Sequence, residues 1–229
     1  MLTLAIDTAT ATVGVAVGRD GVVLAEVVVD AARRHAEALA PAIEAAVEQA
    51  GVVLRELDFL SVGVGPGLFT GLRVGVTTAR TIAQVLAVPV VGVPSLDLLA
   101  HPWCAEGRVI VALIDARRRE VYVARYRGTA AGLERTSAYA VEPPDEVAAE
   151  LAARGESVLL VGDGARAYAD AFAAVDQLAV PGAADAAPSA AALVELATVQ
   201  FARGEHQRPD QVQPLYLRQS DAEINWAAR

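Results

Sequence analysis

The chain is predicted to fold as an α/β protein of two lobes, each a mixed β-sheet with helices packed on it. Three observations carry that prediction. From Leu2 to Val29 the sequence alternates as an antiparallel meander, and later strands are separated by amphipathic helical stretches. The strand-turn-strand pattern then restarts beyond Pro102, so the order of elements recurs. Finally, 229 residues, 54% hydrophobic and 21% charged, suffice to bury the cores of two compact lobes. The lobes are expected at 1–102 and 103–229, with a tail from about residue 209 packing back on the first lobe.

Taken in order, Leu2 to Asp7, Thr12 to Arg19 and Val22 to Val29 read as strands, with Arg19-Asp20-Gly21 as a hairpin turn. Ala36 to Ala50 carries Leu39, Ile43 and Val47 on one face, Glu37, Glu44 and Glu48 between them, and ends at Gly51, which makes an amphipathic helix with a glycine stop. Phe59 to Val64 is a strand, Gly65 to Gly75 a tight turn into a helix that runs to Leu86, and Thr70 is placed to cap that helix. Pro89 to Val93 is a short apolar run, and Ser95 starts another helix. In the second half, Val109 to Asp115 and Glu120 to Tyr126 form a strand pair joined by Ala116-Arg117-Arg118-Arg119. Pro143-Pro144-Asp145 opens a helix through Ala153, and Ser157 to Val161 is a strand leading through Gly162-Asp163-Gly164 into another helical segment. A loop from Pro181 to Pro188, a helix from Ala190 to Arg203 and an irregular tail with the apolar run Leu215-Tyr216-Leu217 complete the chain.

Composition narrows the chemistry. All 19 basic residues are arginine, which excludes a P-loop lysine and any Schiff-base lysine. A net charge of −9 and a pI of about 4.8 make a poor stand-alone binder of nucleic acid, so any RNA substrate would have to be held by something else. Cys104 has no partner for an internal disulfide, and the start of the chain shows no basic region of a signal peptide. No apolar stretch is long enough to span a bilayer. A cytoplasmic protein without a membrane partner is expected.

The most informative segment is Gly65-Pro66-Gly67-Leu68-Phe69-Thr70-Gly71-Leu72-Arg73-Val74-Gly75. A strand, tight turn and helix N-terminus can cradle an anion through free N–H groups. The same residues also suit close helix packing. Gly71, Gly75, Ala79 and Ala83 recur every four residues and form one strip of minimal side chains. A glycine inside a soluble helix costs up to about 1 kcal/mol against alanine, and close approach of another element is the usual compensation. That element is either this chain's own sheet or a partner's helix.

Four segments carry a family resemblance: Ile6-Asp7-Thr8-Ala9-Thr10, Gly65 to Gly75, Ala112-Leu113-Ile114-Asp115-Ala116-Arg117 and Pro214-Leu215-Tyr216-Leu217-Arg218. Together they resemble the TsaB family, also called YeaZ, over nearly the whole chain. The resemblance implies the two-lobed actin-like ATPase fold shared by actin, Hsp70 and sugar kinases. It implies a role in forming threonylcarbamoyladenosine at position 37 of tRNAs that read codons beginning with A. In that family the protein is the non-catalytic partner of a homologous catalytic subunit, TsaD, working with the ATPase TsaE, while a separate enzyme supplies threonylcarbamoyl-adenylate. The helices Ala36–Ala50 and Thr70–Leu86 would then form the contact with TsaD, and a homodimer contact when the protein is alone. Leu39, Ile43, Val47, Gly71, Leu72, Gly75, Val76, Ala79 and Ala83 are the expected interface residues, and Gly75→Leu is expected to abolish docking while leaving the monomer folded.

The ATPase relatives also suggest nucleotide chemistry. There the first hairpin holds phosphate and a magnesium-bound aspartate, here Asp7 with Thr8; the second hairpin would carry Asp115, and Gly162-Asp163-Gly164 would be the adenosine loop. Against this stands a structural role, in which Asp7 and Thr8 stabilise their hairpin by Asx-type hydrogen bonds. An active Mg-ATP-dependent phosphotransferase is therefore the rival to a scaffold that needs no ATP, ADP or magnesium of its own. A metallopeptidase would need convergent ligands, yet His35, His101 and His206 are far apart, and His35 is expected as a surface residue at a helix start. Arg117, Arg118 and Arg119 are expected as a solvated hairpin tip.

Overall fold

The structure, a computed structural model, describes every residue except 33, 106, 177–181, 183–185 and 219–229. Part of the expected 181–188 loop and the end of the tail therefore lie outside the described residues. The chain forms ten strands and six α-helices among the described residues: β1 (Leu2–Asp7), β2 (Thr12–Arg19), β3 (Val22–Asp30), α1 (His35–Ala50), β4 (Phe59–Gly63), α2 (Phe69–Leu86), β5 (Val90–Val93), α3 (Ser95–Ala100), β6 (Val109–Arg117), β7 (Glu120–Thr129), β8 (Gly132–Arg135), β9 (Ala140–Glu142), α4 (Pro144–Arg154), β10 (Val158–Val161), α5 (Asp163–Ala167) and α6 (Ala190–Ala202). The two strands that sequence periodicity missed, β8 and β9, are four and three residues long, too short for alternation to show.

Two mixed sheets result. The first has the order β3-β2-β1-β4-β5, antiparallel across β3, β2 and β1 and parallel across β1, β4 and β5. The second has the order β10-β6-β7-β8, with β9 also on β7; β10 and β6 are parallel and the rest antiparallel. Read from the other edge, β8-β7-β6-β10 repeats β3-β2-β1-β4, so the recurrence of elements in sequence is a recurrence of topology.

Strand alternation sorts the first sheet into two faces. Leu2, Leu4 and Ile6 of β1, Val13, Val15 and Val17 of β2, and Leu60 and Val62 of β4 form one core with α1 and α2. The opposite face is made of Ala5, Ala16 and the glycines of β2, and there α6 packs with Leu193, Val194 and Ala197. A Cβ on Gly18 would stand 2.1 Å from Val194 Cγ1, so this face is small because a helix lies directly on it. Phe59 stacks on Phe201 of the same region, ring centroids 4.2 Å apart and nearly parallel. Thus α6, late in the sequence, belongs in space to the first sheet, and the sequence division at residue 102 is not the division in space.

In the second sheet Val111, Leu113, Val121 and Val123 face α4 and α5, while Ile110, Ala112, Ile114, Tyr122 and Tyr126 face Leu96 and Leu99 of α3. Helix α3 is therefore shared between the lobes. A polar contact reinforces it: the Tyr126 hydroxyl donates to Asp97 Oδ1 at 2.7 Å, and the Tyr139 hydroxyl donates to the same carboxylate at 2.9 Å. Burial holds Asp97 above the usual carboxylate range, opposed by these two donors. Burial, with the Asp97 charge alongside, raises both phenols above theirs. Tyr126→Phe should leave the carboxylate short of one donor and lower stability by about 1–3 kcal/mol. Urea denaturation reads this directly, and an unchanged midpoint would show that the contact contributes nothing to holding the lobes.

Candidate functional site

Between β1 and β2 the residues Thr8 to Ala11 turn directly beneath the start of α2. The approach is close enough to require glycine. A Cβ on Gly67 would lie 2.2 Å from the Ala9 carbonyl oxygen, one on Gly71 2.2 Å from the Thr8 carbonyl oxygen, and one on Gly75 2.2 Å from Thr8 Oγ1. Hydrogen bonds close the seam: Leu68 N–H donates to the Ala9 carbonyl at 2.7 Å, and the Thr8 hydroxyl donates to the Gly71 carbonyl at 2.7 Å. The strip of small residues thus meets this chain's own hairpin, and its continuation, Ala79 and Ala83, lies in the first core.

Two expectations are corrected here. Helix α2 begins at Phe69 with Leu68 at its cap and no side-chain capping bond, so Thr70 falls inside the first turn. His35 stands at the start of α1 but is only 3% exposed, because its Nε2–H donates to the Thr10 carbonyl at 2.7 Å under the Gly71 turn. His101 instead contacts Glu195 at 2.9 Å, and His206 lies against the Phe201 ring. Among the described residues no three or more His, Cys, Asp or Glu side chains converge on a metal position.

Asp7 ends β1 at 2% exposure with both carboxylate oxygens engaged. Oδ1 accepts the Ala9 N–H at 2.9 Å, an Asx turn, and Oδ2 accepts the Ser95 hydroxyl at 2.7 Å. Ser95 in turn receives the Gly65 N–H at 3.2 Å and donates its own N–H to the Gly65 carbonyl at 2.7 Å. A Cβ on Gly63 would sit 1.8 Å from Oδ2, so the carboxylate lies directly over that glycine. Burial pushes Asp7 up from 3.8 to about 6, opposed by the Ala9 N–H, the Ser95 hydroxyl and nearby His35. A carboxylate held this way is not offered to a hydrated magnesium ion, and Thr8 is spent on Gly71, so these residues as arranged do not fit a magnesium nucleotide.

The second hairpin repeats the device. Asp115 Oδ1 accepts the Arg117 N–H at 2.8 Å and the Tyr168 hydroxyl at 3.0 Å, while Oδ2 pairs with the Arg117 guanidinium at 2.9 Å. Arg117, Arg118 and Arg119 all take left-handed φ values, +63°, +56° and +60°, in an exposed tip that Asp115 pins from inside. Asp163 accepts the Asp115 N–H at 2.9 Å. Gly162, with φ +106°, and Gly164 let α5 approach β6: a Cβ on Gly162 would lie 2.2 Å from the Leu113 carbonyl oxygen, and one on Gly164 3.0 Å from it.

The expected interface residues are distributed differently from the sequence reading. Leu39, Ile43, Gly71, Leu72, Gly75, Val76, Ala79 and Ala83 are buried within this chain, and Val47 is half-buried against the same core. The two helices open a groove of about 560 Å³ between them, lined by Leu39 and Ala40 of α1 and Phe69, Thr70, Arg73, Val74 and Thr77 of α2, so Leu39 of the expected interface residues reaches it. Its rim holds an arrangement that periodicity did not flag: the Arg73 guanidinium lies 3.9 Å over the Phe69 ring, four residues earlier on the helix, and its Nε donates to the Tyr216 hydroxyl at 3.3 Å. Ser95 and Gly63, the partners of Asp7, were equally silent in the sequence, and only the four-residue spacing of Phe69 and Arg73 could have signalled a surface pair.

Two sheets of repeated order, each entered by an acidic hairpin and covered by helices, define an actin-like ATPase fold. A family model described as TsaD, tRNA N6-adenosine threonylcarbamoyltransferase, matches residues 26–226. The tRNA threonylcarbamoyladenosine biosynthesis protein TsaB of Escherichia coli is 32% identical over 227 residues, 97% of this chain and 96% of that protein. An uncharacterized protein of Mycobacterium tuberculosis is 40% identical over 221 residues, 96% of this chain and 92% of that one. The solved structure of YeaZ from Pseudomonas aeruginosa superposes with a TM-score of 0.80 at 31% identity, covering 94% of this chain and 99% of that chain. The chain belongs to the TsaB (YeaZ) family.

The seam corrects the expectation for Gly75→Leu, which should disturb the fold itself because its Cβ collides with Thr8. Gly71→Ala should likewise destabilise by about 1–3 kcal/mol, although alanine is the better helix former by up to about 1 kcal/mol. Denaturant titration checks it, and a more stable variant would contradict the seam. A second expectation concerns pH. Because the folded state raises Asp7 from 3.8 to about 6, it favours the protonated carboxyl; the resulting stabilisation is complete below about pH 4 and lost as pH rises through 6. The stability of wild type minus that of Asp7→Asn should therefore fall by roughly 2 kcal/mol between pH 4 and 7, measured by urea titrations at each pH.

Proposed function

We propose that this chain is a non-catalytic subunit in the formation of threonylcarbamoyladenosine on tRNA, docking on a TsaD-type catalytic subunit and stabilising its active conformation. The inward-turned carboxylate of Asp7 carries this reading, because it leaves the first hairpin supporting a helix surface rather than a reacting phosphate. The names of the relatives supply the pathway. The groove between α1 and α2 supports the docking mode: its rim combines alanine and threonine side chains with an aromatic-arginine pair, a composition suited to another helix pair. In this reading the chain works beside a TsaE-type ATPase, forms a homodimer through the same face when alone, and meets tRNA only indirectly, in keeping with a net charge of −9. It acts in the cytoplasm; no described helix is long and apolar enough to cross a membrane. It requires no ATP, ADP or magnesium of its own.

Reconstitution tests the role. With TsaD-type and TsaE-type subunits and the enzyme that supplies threonylcarbamoyl-adenylate, omission of this chain should abolish tRNA modification; full activity without it would overturn the proposal. Ala40 and Thr77 are exposed, so Ala40→Arg and Thr77→Arg should leave the unfolding midpoint unchanged while weakening association with the TsaD-type subunit about tenfold or more. Tight binding of Mg-ATP to the lone chain, lost on Asp7→Ala, would instead support a phosphotransferase.

A further inference from the structure

The segment Pro214–Arg218 lies at the margin of the second core and of the α1–α2 groove and touches both lobes. The chain reaches it after Gln207 exchanges two backbone hydrogen bonds with Val90, at 2.9 and 2.8 Å, and after Val212 is fully buried in the first core. Leu215 N–H then donates to the Val64 carbonyl at 2.7 Å, just before the Gly65 turn. Leu217 packs on the second lobe's core. Arg218 ends the crossing with its guanidinium, donating to the Ala116 carbonyl at 3.0 Å and to Glu120 at 2.5 Å, the residues that flank the three-arginine tip. Within a few residues the chain is thus fixed to the motif loop of one lobe and the hairpin of the other.

Tyr216 lies between those anchors and is more exposed than Leu215 and Leu217 on either side of it. Its ring sits 5.2 Å from that of Phe69, and its hydroxyl accepts from Arg73 Nε. At 42% exposed, Tyr216 cannot hold Phe69 and Arg73 by burial; its own backbone must be held on both sides. We propose that Pro214–Arg218 is an interlobe strap that couples the docking groove to the β6–β7 hairpin, with Tyr216 positioning Phe69 and Arg73 and Arg218 positioning Tyr216. The assignment rests on the groove being the docking face for a TsaD-type subunit. Linkage then makes the coupling reciprocal: a partner seated on the groove stiffens the hairpin 116–120, and a contact on that hairpin changes affinity at the groove.

Amide hydrogen exchange on the full chain, together with calorimetric binding to the TsaD-type subunit, separates the parts. Arg218→Ala should speed exchange at the β6–β7 tip and also in the first turn of α2, and should weaken docking about tenfold. Tyr216→Ala should give the docking loss with the hairpin unchanged, and Tyr216→Phe, which keeps the ring, should restore most of it. If Arg218→Ala does not fold, Glu120→Ala removes one of its two anchor contacts and should move both readouts in the same direction by less. Faster exchange confined to the hairpin, with α2 and docking unaffected, would overturn the strap. If the wild-type chain does not bind the TsaD-type subunit at all, the docking reading falls, while exchange in the lone chain still decides whether hairpin and α2 are coupled.

Discussion

The approach of α2 to the β1–β2 turn is the constraint on which the rest of the molecule depends. Three glycines, Gly67, Gly71 and Gly75, bring helix backbone to within hydrogen-bonding reach of Thr8 and Ala9, where any side chain would meet an oxygen at 2.2 Å. Flexible glycines in a helix cost stability, and here the seam offsets that cost with the Leu68–Ala9 backbone bond, the Thr8 hydroxyl bond to Gly71 and the burial of Leu72, Val76, Ala79 and Ala83. Because α2 sits this low, its opposite flank and α1 leave an open groove. Because the turn is covered, Asp7 and His35 are shut inside.

That covering changes what the signature residues of the fold can do. An aspartate at the end of a first strand is the right group to meet a metal-bound phosphate, provided it faces solvent. Here Ser95 and the Ala9 N–H occupy its oxygens, and desolvation raises its pKa to about 6. The carboxylate has become a staple that joins the first hairpin, the Gly65 turn and the start of α3. Asp115 serves the second hairpin in the same manner through Arg117 and Tyr168. The fold keeps its hairpin aspartates while their hydrogen bonds turn inward, so fold alone does not define activity.

The lobes are joined at several places distant in sequence. Helix α3 shares its faces between both sheets, α6 returns from the second half to cover the first sheet, and Arg218 reaches the second hairpin from a segment anchored at Val64. Two of these joints are polar at one end and apolar at the other: Asp97 with two tyrosines over Leu96 and Leu99, and Arg218 beside Leu217. Apolar contact supplies the energy and the hydrogen bonds supply the register.

Much of this was legible in the chain. Alternation located the long strands, four-residue spacing located α1 and α2, and the recurrence of strand-turn-strand foretold two sheets of like topology. The strip of Gly71, Gly75, Ala79 and Ala83 was visible as a surface made for close contact. Periodicity states which residues share a face and is silent about what covers that face, so the choice between a partner and the chain's own hairpin fell to the tertiary structure. The same holds for Asp7. Asp7 is spent by a serine 88 residues away, and Arg73 meets a tyrosine 143 residues away. The sequence by itself determined the elements, their order and the places where backbone must come close. Only the folded chain decided which carboxylates were satisfied, which histidine was buried and which helix flank stayed open, because those depend on contacts that no local pattern encodes.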